Sequence, residues 1–294
     1  MSGHRFYQDL APWWPLISPA SDYAEEAAFA ATLLRDSDSG GRQARGDGQA
    51  SGNHRAGGNH QASDDGRPSD ARQAGNDRRP SDDNTRPTVL ELGSGGGHNA
   101  VHLKAHFALT LVDLEPAMLA ESKKINPELP HLQGDMRTLR LDDQFDAVFV
   151  HDAIEYMTTE ADLRRAIETA FVHTKPGGRA LFVPDATKET FEPETDHGGI
   201  DAPDGRGARY LSWSYDPDPH DTTTLTAYAF LLRDTDGRTT AVNETHETGL
   251  FRTAMWLKLL REKGFVAEAV TEETSEGRPP RTLFVGRKIS PDGR

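Results

Sequence analysis

Residues 89–99, Val-Leu-Glu-Leu-Gly-Ser-Gly-Gly-Gly-His-Asn, constrain the fold more than any other stretch of the chain. An apolar run enters Gly93, Gly95, Gly96 and Gly97 and leaves as an amphipathic run. That pattern reads as a buried strand, a tight turn and the start of a helix. Glycines allow positive φ at the turn and let a ligand approach the helix N-terminus, where free N–H groups and the dipole favour a carboxylate or phosphate.

Spacing separates the ligand classes such a turn can hold. A dinucleotide fingerprint needs its third Gly or Ala three residues after the second, but that position is His98 and Gly97 comes one step early. A phosphate-binding P-loop also fails, because no Lys-Ser/Thr follows. About twenty residues on, a second apolar run ends at Asp113, placed to accept from both hydroxyls of a ribose. The expected ligand therefore carries a ribose but no pyrophosphate.

Several segments together resemble the class I S-adenosylmethionine-dependent methyltransferases. Glu91-Leu-Gly-Ser-Gly-Gly-Gly97 is similar to the family's first motif and Val112-Asp-Leu-Glu-Pro-Ala-Met-Leu119 to its second. Gly134-Asp135-Met136 resembles the adenine-contact segment, Phe145-Asp-Ala-Val-Phe-Val-His151 the fourth strand, and Lys175-Pro-Gly-Gly178 the turn before the fifth. The likeness is close over residues 88–184, looser from 250 onward, and does not cover 36–87. It implies a Rossmann-like, mainly parallel seven-stranded α/β sheet with an antiparallel last strand, and S-adenosyl-L-methionine as cofactor.

Composition sets outer limits. The net charge is −14 over 294 residues. Such a surface repels phosphate backbones and anionic lipid, so neither nucleic acid nor membrane is an expected partner. With no Cys, disulfides, thiolate zinc sites and a Cys nucleophile are excluded, and no metal site is expected. No basic-then-apolar leader opens the sequence, and no run approaches the roughly 20 apolar residues of a membrane span. The expectation is a soluble cytoplasmic protein.

The chain divides into six stretches. Residues 1–35 hold Phe6, Tyr7, Trp13, Trp14 and Leu16, too apolar for a free tail, and then a helix over 22–35 with Asp22 and Glu25 in capping-box position. It reads either as a lid over the cofactor or as an amphipathic helix sealing the sheet. Residues 36–87 contain no Val, Ile, Leu, Met, Phe, Trp or Tyr, and so cannot offset the roughly 1 to 2 kcal/mol per residue cost of ordering backbone. The repeats of Arg-Pro-Ser-Asp at 67 and 79 and of Gly-Asn-His at 52 and 58 suggest slipped-repeat expansion, and His54 and His60 lack a third metal partner. Residues 88–184 alternate strand and helix, with a helix capped by Thr159 and stopped by Pro176-Gly-Gly. Residues 185–250 read as loop over 192–207 and then three antiparallel strands, forming either a substrate roof or a dimer contact. Residues 251–288 supply a helix and the last strand pair, and 289–294 a tail.

Strand ends place the candidate site residues. Gly93, Gly95, Asp113 with the adjacent Leu114, Asp135 and His151 all fall at carboxyl ends of parallel strands, where ligands of such sheets bind. By resemblance, Asp135 accepts from the adenine amino group while Met136 meets the ring. Glu91 either holds the cofactor's ammonium or braces the turn. His151 is the candidate general base, with adenosine stacking or a hydrogen bond to Asp152 as alternatives. Tyr7 and Trp14 touch the substrate or sulfonium or simply pack, and Asp196, His197, Trp213 and His246 are groups a substrate roof would use.

The leading function is methyl transfer to a nitrogen or oxygen of a small-molecule acceptor. A catalytically idle nucleotide-binding scaffold comes second, and a nicotinamide-dependent dehydrogenase, disfavoured by His98, third. One prediction follows from composition alone. Replacing residues 36–87 by a short Gly/Ser linker should leave melting temperature and activity nearly unchanged, since a shorter loop costs less entropy to close and no core residue is removed. A large fall in melting temperature on calorimetric scanning would contradict this.

Overall fold

The structure is a computed structural model, and it describes residues 4–35, 86–275 and 278–290. The expected disorder of the insertion, His54 and His60, and the end of the tail lie outside the described residues. Arg86 and Pro87 already belong to the fold: Arg86 donates to the Lys104 carbonyl, and the Pro87 carbonyl accepts from Ala108 N.

In chain order the elements are α1 (Trp14–Ile17), α2 (Ala24–Arg35), β1 (Thr88–Leu92), α3 (His98–Leu103), β2 (Ala108–Asp113), α4 (Pro116–Ile125), β3 (His131–Gln133) and β4 (Phe145–Val150). There follow α5 (Glu160–His173), β5 (Thr174–Phe182), β6 (Glu194–Gly198), β7 (Gly207–Tyr215), β8 (Thr223–Arg233), β9 (Thr239–Gly249), α6 (Thr253–Lys263), β10 (Phe265–Thr271) and β11 (Thr282–Lys288). Seven strands form one sheet in the order β10-β11-β5-β4-β1-β2-β3. Of these, β11 runs antiparallel to both its neighbours while β1 to β5 pair in parallel.

The parallel strands are apolar on both faces because both are covered. Leu90, Leu92, Val148 and Val150 pack under α5 and α6, where Trp256, Leu259 and Leu260 are buried as their spacing predicts. Val89, Leu111, Phe149 and Leu181 pack under Ala27, Ala30, Ala31 and Leu34 of α2 and under α3. The N-terminal helix is therefore one layer of the core. Each fully buried Leu or Phe contributes roughly 1.5 to 3 kcal/mol, so this layer cannot swing away freely.

Several boundaries depart from the sequence expectation. No capping box forms at Asp22. A 3-10 turn over Ala20–Tyr23 precedes α2, and the Glu25 carboxylate accepts instead from the Ser275 N–H and hydroxyl. Thr159 does cap α5, accepting from Asp162 N at 3.1 Å. That helix ends at His173, ahead of Pro176, where the Thr174 hydroxyl donates to the Ala170 carbonyl and the chain turns directly into β5. The stretch read as loop contains β6, which joins β7, β8 and β9 in a separate antiparallel sheet of order β6-β7-β8-β9. Its sequence, Glu-Thr-Asp-His-Gly, carries no apolar alternation because it is an exposed edge strand held by backbone pairing. The inner face of this sheet buries Phe230, Leu232 and Val242 against Phe6, Leu10 and Leu16, with Phe6 stacked on Phe230 at 4.6 Å.

A buried charge cluster ties α2 to the carboxyl end of the large sheet. His151 Nε2 lies 3.2 Å from Glu26 and Nδ1 2.8 Å from Asp152. The other Glu26 oxygen meets the Arg281 guanidinium at 2.5 Å, and Arg281 in turn reaches Glu272 at 3.0 Å. Burial opposes charge on His151, but Asp152 and Glu26 outweigh it and push the imidazole up to about 10. Because the folded value lies above the ordinary 6.5, the stabilisation is fully present below about 6.5 and is lost as pH rises through about 10. The wild-type melting temperature should therefore fall between pH 7 and about 10, and His151→Gln should start lower and fall less. Parallel slopes for the two proteins would contradict the assignment.

Candidate functional site

A cavity of about 850 Å³ opens at the carboxyl ends of β1, β2, β3 and β4. The glycine turn, Asp113, Leu114, Asp135, Met136 and His151 all line it, as the strand ends predict, and Tyr7 and Trp14 close it from the N-terminal segment.

The turn itself is set by close approach. Gly93, Gly95 and Gly97 take φ of 74°, 52° and 76°. A Cβ on Gly93 would lie 2.3 Å from the Ala153 side chain, and one on Gly97 2.1 Å from Ser122 Oγ. Asn126 locks the turn from below by donating to the Gly97 carbonyl at 2.9 Å.

Asp113 ends β2 with both carboxylate oxygens engaged, one accepting from Gly95 N at 2.7 Å and the other from Glu115 N at 2.9 Å. Burial raises its pKa while these N–H groups hold it down. Each oxygen keeps a further lone pair toward the cavity, which suits the two hydroxyls of a ribose. Asp135 is placed as expected, but Arg137 spans its carboxylate with bonds of 2.5 to 3.0 Å and depresses its pKa. An adenine amino group would share that carboxylate with the guanidinium.

Glu91 is 2 % exposed and pushed up to about 8 by burial. Among the described residues, its Oε2, Ser94 Oγ and Asn99 Oδ1 are buried without a hydrogen-bond partner, and all three residues line the cavity. Buried polar atoms left unpaired are costly, so this trio asks for a polar ligand group, and an ammonium beside Glu91 would favour its ionised, accepting form. An amino-acid-bearing nucleoside meets that demand, and the residues present fit S-adenosylmethionine.

His151, the candidate general base, is paired on both ring nitrogens. It reaches the cavity, but its Nε2 faces Glu26 and Arg281 and its Nδ1 faces Asp152, and the two carboxylates push it up to about 10 against burial, which leaves no lone pair free to take a proton. The hydrogen bond to Asp152 considered from sequence is present. Nothing local could have revealed Glu26 and Arg281, which lie 125 residues before and 130 after it in the chain.

The substrate-side expectations divide. Trp14 packs on the glycine turn, so that a Cβ on Gly96 would lie 2.7 Å from its ring, and its Nε1 donates to His98 Nδ1 at 3.2 Å. Burial pushes His98 down to about 4, keeping it a neutral acceptor. The second sheet does roof the cavity, but through Thr245 and Glu247 of β9. His197 and Trp213 lie away from the cavity on exposed positions, Trp213 at 57 % exposure, and Asp196 accepts from the Tyr210 hydroxyl outside it. His246 sits behind the wall, its Nδ1 2.7 Å from the Tyr156 hydroxyl. Tyr156, in the 3-10 turn Asp152–Tyr156 just beyond β4, lines the cavity and was not anticipated. Its signal was position: it stands one short turn past a strand end already assigned to the site.

Residues 89–178 match the methyltransferase domain family. Over 202 residues, 68 % of this chain and 82 % of the relative, the chain is 28 % identical to the dTDP-3-amino-3,4,6-trideoxy-alpha-D-glucopyranose N,N-dimethyltransferase of Streptomyces venezuelae. The crystal structure of Streptomyces venezuelae DesVI aligns with a TM-score of 0.60 at 26 % identity, covering 70 % of this chain and 84 % of that one. The sugar N-methyltransferase KedS8 from a Streptoalloteichus species aligns with a TM-score of 0.62 at 27 % identity, covering 71 % and 82 %. Among the described residues no helix is long and apolar enough to cross a membrane. Strand order, glycine turn and the placement of Asp113 at the end of β2 agree with these matches: residues 89–178 form a methyltransferase domain, and the chain is similar to sugar N-methyltransferases.

Proposed function

We propose that the acceptor is the amine nitrogen of a small molecule, with amino sugars, as in the relatives' names, the class to test first. The observation that carries this reading is the pairing of His151, whose Nε2 lies 3.2 Å from Glu26 and 3.4 Å from Arg281 and whose Nδ1 lies 2.8 Å from Asp152. A hydroxyl acceptor must lose a proton to become nucleophilic, and the imidazole at the strand end beside the glycine turn has both nitrogens engaged by buried charged groups. An amine in its neutral form attacks directly and needs chiefly alignment.

When bound, the cofactor supplies a methyl group on a positively charged sulfur. The residues of the chain hold and orient. Asp113 takes the ribose hydroxyls, Glu91 with Ser94 and Asn99 the amino-acid end, and Asp135 and Met136 the adenine. Trp14 and Tyr7 cover the cavity and exclude water. In this reading His151 is a positioning residue that fixes α2 and, through it, the covering segment. The net charge of −14 speaks against a nucleic-acid acceptor. The exposed Leu211, Trp213 and Leu231 on the outer face of the second sheet are where a second copy would pair, which sedimentation tests.

Two measurements check the proposal. Asp113→Asn, which keeps one acceptor for the turn N–H groups, should weaken S-adenosylhomocysteine at least about tenfold in calorimetry with the melting temperature maintained, since a hydrogen bond to a charged group contributes roughly 1.5 to 3 kcal/mol. Unchanged affinity would remove Asp113 from the ribose. Incubation with S-adenosylmethionine and dTDP-3-amino-3,4,6-trideoxy-α-D-glucose should give N-methylated product by mass spectrometry. Transfer only to the oxygen of an amine-free acceptor would overturn the amine reading.

A further inference from the structure

From the cavity lining inward, four side chains from three separated segments form a continuous hydrogen-bonded row. The Tyr7 and Tyr156 hydroxyls are 2.8 Å apart, Tyr156 Oη is 2.7 Å from His246 Nδ1, and His246 Nε2 pairs with a Glu244 oxygen. The direction of each bond follows from donor counting. A carboxylate only accepts, so Nε2 carries the imidazole proton and Nδ1 is left with a lone pair. Tyr156 must then donate to Nδ1, which leaves its oxygen to accept from Tyr7. Every proton in the row points from the cavity toward Glu244.

We propose that Tyr7, Tyr156, His246 and Glu244 form a proton wire that relieves the acceptor of the proton its amine must lose. The inference rests on the amine reading above. An aliphatic amine is largely an ammonium at neutral pH, and an ammonium has no lone pair to offer the methyl group. In the step, the N–H bond of the ammonium breaks and its proton passes to Tyr7 Oη. The proton of Tyr7 moves to Tyr156, and that of Tyr156 to His246 Nδ1. The electron pair stays on nitrogen and forms the N–CH₃ bond as the C–S bond breaks, with its pair going to sulfur. His246 then releases its Nε2 proton through Glu244 to water at the cavity rim beside His4, whose Nδ1 is 3.8 Å from the carboxylate and whose side chain is 26 % exposed, and exchange with that water returns the proton from Nδ1 to Nε2 before the next turnover.

The surroundings suit a relay better than a resting base. Burial lifts both phenols well above their usual range, so they stay protonated and pass protons on without becoming tyrosinates. Burial also holds His246 down to about 4 against the pull of Glu244, so the ring is neutral at rest and hands a proton on rather than keeping it. The groups facing His246 are Glu244 on its own strand, His4 with its ring 4.0 Å away, Tyr7 and Tyr156, and Tyr228 of β8 at 4.9 Å. Glu155 faces Tyr156, and Asp152 and Tyr23 act on Tyr7.

In the proposed step Tyr7 takes the proton from the acceptor and is the catalytic residue of the row, while Tyr156, which also lines the cavity, and His246 and Glu244 are positioning residues for the proton. The test compares wild type with Tyr156→Phe, His246→Gln and Glu244→Gln from pH 6 to 10 on the dTDP-linked amino sugar. Cofactor affinity and melting temperature are measured alongside. Below the pKa of the amine each variant should lose about 10²-fold in kcat at unchanged cofactor affinity, and the loss should close as pH rises and the amine arrives neutral. A loss equal at every pH, or no loss, overturns the wire. Activity lost to a chelator and restored by a divalent cation would overturn it as well. If His246→Gln fails to fold, Tyr156→Phe, which keeps the ring, decides. A readout independent of turnover is the nitrogen NMR spectrum of His246, which should show Nε2–H and an unprotonated Nδ1. The opposite tautomer reverses the row and ends the proposal. Should wild type methylate no amine, the acceptor reading fails, while the tautomer still reports on the row by itself.

Discussion

Three elements close on one turn because that turn has no side chains. At Gly97 the helix α4 comes so near that Ser122 and Asn126 occupy the place of a Cβ, at Gly93 the segment after β4 does the same through Ala153, and at Gly96 the ring of Trp14 lies across the backbone. Alanine at any of the three would push an element off, and two of them also hold φ values that other residues rarely adopt. The cavity depends on this convergence. Its floor is the turn, and its walls are whatever the turn allows to approach.

The charge cluster around Glu26, His151 and Arg281 is the second condition. Two charged groups taken out of water cost several kcal/mol unless each is paired and hydrogen-bonded, so such a cluster is weak as a source of stability and strict about geometry. Here it joins the N-terminal core layer to the ends of β4 and β11, which lie on either side of β5. The same contacts that fix α2 put a proton on His151. A residue at the expected position thereby turns its ring nitrogens to the cluster.

Packing in the second sheet explains why its polar residues separate. Side chains alternate faces along β7, β8 and β9, and the inner face is committed to Phe6, Leu10 and Leu16. His246 and Glu244 share that inner face with Phe230 and Val242, through the register Tyr228 to Glu244 and Thr226 to His246. Trp213 falls on the other face and into solvent. The two-residue periodicity that exposes Trp213 is what brings His246 to Tyr156.

Local patterns determined the central sheet and the cofactor half of the site. Apolar strands, the glycine spacing and carboxylates at strand ends are consequences of burial and backbone geometry within a few residues, so Gly93, Asp113 and Asp135 could be placed from the sequence. Four features were decided only by tertiary structure: the pairing of β6, the protonation of His151, the exposure of His197 and Trp213, and the row from Tyr7 to Glu244. Each depends on partners distant in the chain. An edge strand without apolar alternation is held by its neighbour's backbone, and a titratable group takes its charge from whichever residues are packed against it. Glu26 and Arg281 stand 255 residues apart, and no local pattern links them.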